Sequence, residues 1–475
     1  MADVMTPAPR LTEEQLTGWG LRHRTRSRVA TPRNVNEVAA LFAGVGAAGG
    51  TISLRGGGNS YGDTALNDDV TLNTTALNRI LAWDPESGVV TVEPGVTIAQ
   101  LWQKLLPDGW WPAVVPGASA VTIGGAASTD IHGKNNWRSG SFGDCVRAFD
   151  LLLPSGEMLS CSRERNPDLF YAAIGGLGLL GCFTSLTLQA RRISSGLVAE
   201  AQRPYGSLDA LLAGLEEATY WASDLVAWVD TSATGAHLGR GLLKVGRDLH
   251  PGEDAHPART LSVAAQVRPS LARLVPSGLI PRLARPMTTP MGVWGANRAQ
   301  WSRGQRRHAR AYHLETYARA NFVLDAIPNW RDTYKPGGLI QHQGFVPREA
   351  AAQAFKELLT RSQHAGIVPS LAVLKKHRPD DFLLTYLCDG YSLALDYPVR
   401  RGQETRLLAL LGILNDIVAD YGGRIYLAKD STLTAAQFRR MYDADALARF
   451  AARKHEYDPH GLLSTKLYRR LFADG

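Results

Sequence analysis

The stretch Pro116–Asn136, PGASAVTIGGAASTDIHGKNN, sets the tightest limit on what this chain folds into. Its first fourteen residues, Pro116 to Thr129, carry no ionisable side chain, and Gly117, Gly124 and Gly125 let the main chain approach something large. Backbone N–H groups are then the main polar equipment, and amides in turn or nest conformations attract anions without side-chain bulk. Composition alone leaves two readings open: a cradle for a pyrophosphate or ring edge, and a small-residue turn packed in a core. Three features favour the cradle: the upstream loop Arg55-Gly-Gly-Gly-Asn-Ser-Tyr-Gly-Asp63, a second glycine-rich loop Gly175-Gly-Leu-Gly-Leu-Leu-Gly181, and the polar cluster Asp130 to Asn136. Gly176 to Gly181 has the spacing G-x-G-x-x-G, but it follows a helical pattern and enters a strand pattern, the reverse of the order a nicotinamide fold needs.

At 475 residues the chain is long enough for more than one domain, and 45% hydrophobic with 20% charged residues excludes disorder over most of it. The formal charge of +8 favours anionic partners such as phosphate esters or a membrane surface. The four cysteines form no C-x-x-C pair and have no zinc-type spacing, so neither a metal nor a disulfide framework is expected. Residues 1–15 lack the apolar core of a signal peptide, which gives an expectation of a cytoplasmic or peripheral-membrane location. Leu169 to Ala190 is free of charge, yet its glycines and its change from helical to strand pattern predict a loop plus a buried strand, not a membrane span.

Taken in order, Met1 to about Leu16 is expected to be a loose arm. A helix follows Pro32, with Asn34 able to cap it, and Thr51 to Arg55 alternates as a strand that delivers the first glycine loop. Asp69–Asn73 and Val89–Val96 are further strands, and Thr97–Leu106 is an amphipathic helix. A hairpin is predicted about Ser155-Gly156, then a helix from Asn166-Pro167 with Asn166 as N-cap, then a strand from Cys182 to Arg192. Beyond Ser194 come a helix Leu208–Trp221 and strands Leu225–Asp230, Gly239–Gly246, Gly338–Val346 and Leu371–Lys375. Phe382–Leu387 and Tyr391–Pro398 are expected to pair across Asp389-Gly390, and Thr405–Tyr421 is a helix.

Between Asp254 and Glu315 there is no acidic residue but ten arginines, interleaved with apolar residues from Leu271 to Trp294 and five prolines from Pro269 to Pro290. This basic apolar loop, 268–312, matches a segment that seeks a lipid surface or a lipid phosphate. Nucleic acid is not expected, because no binding motif accompanies the charge.

The loop Arg-Gly-Gly-Gly-x-Ser-Tyr-Gly-Asp, followed about sixty residues on by PG-x-x-x-VTIGGA-x-x-x-DIHGKN, resembles the FAD-binding domain of the vanillyl-alcohol-oxidase (PCMH-type) superfamily. Within it the chain is similar to the decaprenylphosphoryl-β-D-ribose oxidase group, which oxidises a ring hydroxyl of a lipid-linked pentose. That resemblance implies an α+β fold: a two-subdomain FAD-binding domain at 10–195, an α/β cap domain over the flavin at 196–415, and a segment at 416–475 that returns to the FAD domain. It implies cofactor contacts from Arg55, Gly56, Gly57, Gly58, Asn59, Ser60 and Tyr61. Further contacts come from Pro116, Gly117, Thr122, Ile123, Gly124, Gly125, Ser128, His132, Gly133 and Asn135, and from Gly178, Gly181 and Tyr426. Several relatives attach flavin to a histidine where this chain has Asn59, so FAD is expected to be non-covalent.

The resemblance also places Lys134, Gln343, Lys375 and Asn321 in the substrate pocket, and Ala394 where some relatives carry a cysteine. A separate NAD(P)H-dependent reductase is implied as the consumer of a keto product. Oxidising an alcohol by hydride transfer requires a base for the hydroxyl proton. Lys429 in Ala-Lys-Asp-Ser is the leading candidate. A neutral lysine needs its pKa lowered by about three units, roughly 4 kcal/mol, which burial beside Lys134, Lys375 and His132 would supply. Alternatively Lys429 stays charged and binds a phosphate, or pairs with Asp430. Tyr61 is a candidate proton relay, and His132 a contact to the flavin edge or substrate. Two other functions stay open: oxidation of a soluble alditol or aldonolactone, and a flavin-free binding protein on the same fold.

Overall fold

The computed structural model describes residues 8–267, 279–307, 312–326 and 329–472. Strands Thr12–Thr17 (β1), Arg24–Ala30 (β2), Ile52–Arg55 (β3) and Val70–Asn73 (β4) form a sheet in the order β1-β2-β4-β3, with β2, β4 and β3 parallel. Helix Val35–Ala47 lies between β2 and β3 in sequence. Asn34 caps it by accepting from Glu37 N, and Val38, Leu41, Phe42 and Val45 are its buried stripe.

A second, antiparallel sheet contains Ile80–Asp84 (β5), Val89–Val92 (β6), Trp110–Pro112 (β7), Val146–Leu152 (β8), Met158–Ser162 (β9) and Cys182–Arg192 (β10). β8 and β9 are the hairpin expected about Ser155-Gly156. Helix Ile98–Leu105 opens with a Thr97/Gln100 capping box.

The third sheet has eight strands: Leu197–Tyr205 (β11), Asp224–Val229 (β12), Gly241–Asp248 (β13), His313–Thr316 (β14), Leu339–Pro347 (β15), Leu371–His377 (β16), Gly390–Pro398 (β17) and Arg424–Ile425 (β18). Their order is β14-β11-β13-β12-β16-β17-β15-β18. Helices Leu208–Ala218, Arg348–His364 and Glu404–Asp420 pack against this sheet, burying Leu211, Phe355 and Leu414. The last residues run back to the first sheet. Ile52 N donates to Leu462 O (2.6 Å), Ser464 N to Ile52 O (2.9 Å), and Arg470 forms ion pairs with Asp63 and Asp430.

Four local expectations need correction. The N-terminal arm is not loose from Thr12 on: β1 pairs antiparallel with β2 from Thr12↔Val29 to Thr17↔Arg24. TEEQLT is polar on both faces, so only its partner reveals it as an edge strand. Residues 382–387 form no strand. β17 instead pairs with β16 and β15, and Tyr386 turns inward to donate to Asp130 O (2.6 Å). Asn166 precedes helix Pro167–Ala173 in the left-handed region (φ 49°) and does not cap it, its amide donating to Ser160 O instead.

The basic stretch, expected as a loop, is helical where described, at Leu279–Ala284 and Pro290–Arg307. Residues 268–278 and 308–311, including Arg268, Arg273 and Arg310, lie outside the described residues. Among the described residues no helix is long and apolar enough to cross a membrane. Burial holds the Cys145, Cys161 and Cys182 thiols up at about 12, so the four cysteines, all free, are poor nucleophiles.

Candidate active site

A cavity of about 530 Å³ runs from the glycine loops to the inner face of the eight-stranded sheet. At its loop end the two segments singled out in the sequence touch. A Cβ on Gly56 would lie 2.1 Å from Thr122 Oγ1, and one on Gly57 would lie 2.6 Å from Ala120 O. Asn59 Nδ2 donates across the same seam to Ala120 O (3.3 Å). The loop is also pressed against the segment that carries Lys429. Tyr61 N donates to Ala428 O (2.9 Å), and a Cβ on Gly62 would sit 1.9 Å from Asp430 O.

The amides of the central helix are spent, whereas those of the first loop, where the resemblance placed cofactor contacts at Gly57, Gly58, Asn59 and Ser60, are free. In the central stretch Thr122 caps a short helix, Ile123–Ser128, and the amides of Ile123, Gly124 and Gly125 are spent on Val96 O, Pro94 O and Thr122 Oγ1. The amides of Gly57, Gly58, Asn59 and Ser60 have no partner among the described residues. Gly58 is left-handed (φ 67°) and a Cβ there would strike the Arg55 guanidinium, which donates to Thr17 O (2.9 Å). Unpaired donors beside a cation, walled by glycines, fit the diphosphate of a dinucleotide such as FAD.

Arg55, Gly56, Gly57, Gly58, Asn59, Ser60, Tyr61, Pro116, Gly117, Thr122, Gly124, Gly125, Ser128, His132, Gly178 and Tyr426 all line the cavity. Ile123, Gly133, Asn135 and Gly181 do not. Ile123 is in the core, and Gly133 gives room for a turn against Val115 O. Asn135 Nδ2 braces Ala113 O and Ser139 Oγ, and Gly181 packs on Leu151.

The far end is built by the two-residue period of the third sheet. Gln341 and Gln343 on β15 face Asp396 and Ala394 on β17, and Leu371, Val373 and Lys375 continue the face on β16. Val226 and Trp228 on β12 and Leu242 and Lys244 on β13 complete it, so the wall passes from polar to mostly apolar. Trp330, Gln300 and Asn321 border the same space.

Lys244 on the cavity wall pairs with Glu200 (2.6 Å), and three further lysines converge on the cavity. Lys134, Lys375 and Lys429 are enclosed by protein but keep some exposed surface, since they border the open cavity. Burial brings Lys429 down to about 7, opposed by Asp396. The sequence reading called for burial beside other cations; burial supplies the lowering, with no cation among its causes. Lys375 also falls to about 7, through burial and then repulsion from Lys134 and Lys429. Lys134, lowered to about 8 by burial, is tied to Ala320 O.

Neither Lys375 nor Lys429 has a hydrogen bond or ion pair from Nζ to any described residue. Lys429 Nζ sits 3.6 Å from the Tyr61 ring centroid, and Asp430, its sequence neighbour, is engaged by Arg470. The remaining polar groups are held in defined protonation states. Burial keeps the Tyr61 phenol protonated, which makes it a donor at neutral pH. Burial and then Lys375, His377 and Lys429 keep His132 neutral, and its Nε2 accepts from Gln343 Nε2 (3.0 Å). Gln343 also donates to Ser392 Oγ (3.2 Å), and Asn321 Nδ2 to Tyr317 O (3.0 Å).

Sequence reasoning missed Asp396. It is buried, raised by burial to about 6, bonded through Oδ1 to Gln341 Nε2 (2.5 Å), and its Oδ2 has no hydrogen-bond partner among the described residues. Its position two residues from Ala394 on one strand was the available signal. The apolar wall residues Trp228 and Trp330 carried no such mark.

Residues 27–162 match the family model of an FAD binding domain. The chain is 31% identical to decaprenylphosphoryl-β-D-ribose oxidase of Mycolicibacterium smegmatis, over 97% of this chain and 98% of that one. It is 32% identical to an uncharacterised protein of Streptomyces coelicolor, over 79% of this chain and 100% of that one. With L-gulonolactone oxidase of Mus musculus it shares 32% identity over 33% of this chain and 36% of that one.

Proposed function

Since the chain belongs to the PCMH-type FAD-binding oxidoreductases, in the family of decaprenylphosphoryl-β-D-ribose oxidase, we propose that it oxidises a secondary hydroxyl of a sugar, namely C2 of the ribose of a polyprenyl-phosphate pentose. The observation that carries this reading is the pair Lys375 and Lys429, enclosed at one cavity with no hydrogen bond or ion pair from either Nζ to a described residue, Asp396 acting on Lys429 from beyond ion-pair distance. Lys375, partly charged and without a paired carboxylate, calls for an anion, and a sugar phosphate supplies one. The apolar wall beyond them, with Trp228, Leu242 and Val373, suits the start of a prenyl chain.

FAD, when bound, supplies the hydride acceptor. The chain's residues do the rest. Lys429, neutral in a large fraction of molecules at pH 7, takes the hydroxyl proton at Nζ. Lys375 and Lys134 hold the phosphate end, Tyr61 donates a hydrogen bond, and the Gln343–His132 pair fixes the inner wall. The keto product passes to a separate NAD(P)H-dependent reductase, giving net epimerisation.

Anaerobic mixing tests the substrate. Flavin absorbance should bleach with a polyprenyl-phosphate ribose and not with free alditols or aldonolactones. Bleaching by a lactone alone would overturn the lipid-linked substrate while keeping the oxidoreductase. The cofactor should also be held without a covalent bond, because Asn59 offers no nucleophilic ring nitrogen where a histidine would. Acid precipitation is expected to leave all yellow colour in the supernatant; flavin fixed in the pellet would contradict this.

A further inference from the structure

Large apolar side chains are unusually exposed on the helical segments between β13 and β14. Leu283 is 67% exposed, Met287 55%, Met291 85% and Trp294 57%. Helix Pro290–Arg307 has an inner face that fixes it to the fold: Val293 and Asn297 are buried, Asn297 Nδ2 donates to Thr231 Oγ1 (3.1 Å), and a Cβ on Gly304 would strike Leu242. Its outer face presents Met291, Trp294 and Arg298 at spacings of three and four residues. Leu283 and Met287 come from helix Leu279–Ala284 and the turn Arg285–Thr288, which pack on each other and on the turn Trp330–Tyr334. Trp330 and Gln300 line the cavity, so this apolar face borders the cavity wall.

Its charge is one-sided. Arg282, Arg285, Arg298, Arg303 and Arg306 are exposed, and none of their guanidinium groups makes a hydrogen bond or ion pair with a described residue. The Arg298 guanidinium lies 5.7 Å from the Trp294 ring centroid. From residue 255 to 314 there is no Asp or Glu that could neutralise them. Duplex nucleic acid would satisfy the arginines but leave four large apolar side chains in water. An anionic bilayer satisfies both sets, because apolar groups enter the headgroup–acyl boundary while cations meet lipid phosphates.

We infer that helices Leu279–Ala284 and Pro290–Arg307 are a docking face for an anionic lipid bilayer, which sets the cavity beside the membrane surface. This does not depend on which sugar is oxidised. Flotation of the full-length holoprotein tests it. The protein should float with phosphatidylglycerol/phosphatidylcholine vesicles at low salt, not with phosphatidylcholine alone, and added salt should reduce the bound fraction.

Met291→Glu with Trp294→Glu, and separately Arg298→Glu with Arg306→Glu, should each weaken binding by at least about tenfold. Both pairs should keep wild-type flavin content, and if one loses flavin the other decides. No flotation of the wild type at low salt, or wild-type binding by the variants that retain flavin, would overturn the inference. So would tighter binding of random-sequence duplex DNA than of vesicles at equal phosphate concentration.

Discussion

Replacing Lys429 by Met should slow anaerobic flavin bleaching by about 10²- to 10⁴-fold, the usual contribution of a positioned base, with FAD content unchanged. The expectation rests on placement. Lys429 lines the cavity, its Nζ stands over the Tyr61 ring, and it forms no ion pair with Asp430 or any other described residue, Asp396 acting on it only from a greater distance. Its lowered value of about 7 fixes the sign of the pH dependence, because a base works only when unprotonated. Wild-type bleaching should therefore rise with pH, level off above about 7, and fall about tenfold per unit below it.

Asp396 favours the ammonium form of Lys429, so Asp396→Asn should move that acid limb to lower pH. A purely electrostatic Lys429 behaves differently. Lys429→Met would then raise the substrate concentration needed for half-maximal rate, leave the limiting rate intact, and the wild-type rate would fall as pH rises. Stopped-flow traces across pH 5.5 to about 9 separate the two.

Gly57→Ala should bind FAD measurably more weakly than the wild type. The added methyl would sit 2.6 Å from the main-chain oxygen of Ala120, so the two loops must part. Overpacking of this kind costs about 1–3 kcal/mol, and if that strain is relieved by opening the seam, FAD affinity falls by about 5- to 150-fold. Titration with FAD, followed by flavin fluorescence quenching, measures it. Gly412→Ala is the matched control: it lies in helix Glu404–Asp420 with nothing within 4 Å of the new Cβ, and should bind FAD as the wild type does. Equal affinity in Gly57→Ala would mean that the loop amides do not hold the diphosphate.

The helices and most strands were legible because their signals are local. Asn34 and Thr97 announce the helices they cap, and the alternation in Gly338–Val346 gives β15 together with the shared face of Gln341 and Gln343. The polar strand β1 and the partners of β17 were not legible, because pairing is a property of two segments and neither segment contains it alone.

The same division runs through the site. Residue types fix which main chain is thin enough to lie against a diphosphate, and they put Lys134, His132, Lys375 and Lys429 in the chain. Whether an amide is free or spent, and whether a lysine is paired, depends on partners that lie elsewhere in the chain. Arg470 takes Asp430 away from Lys429, and Val96, Pro94 and Thr122 use up the amides of Ile123, Gly124 and Gly125. Burial then sets the proton affinity of each amine, and burial comes from packing that no single stretch of the chain encodes.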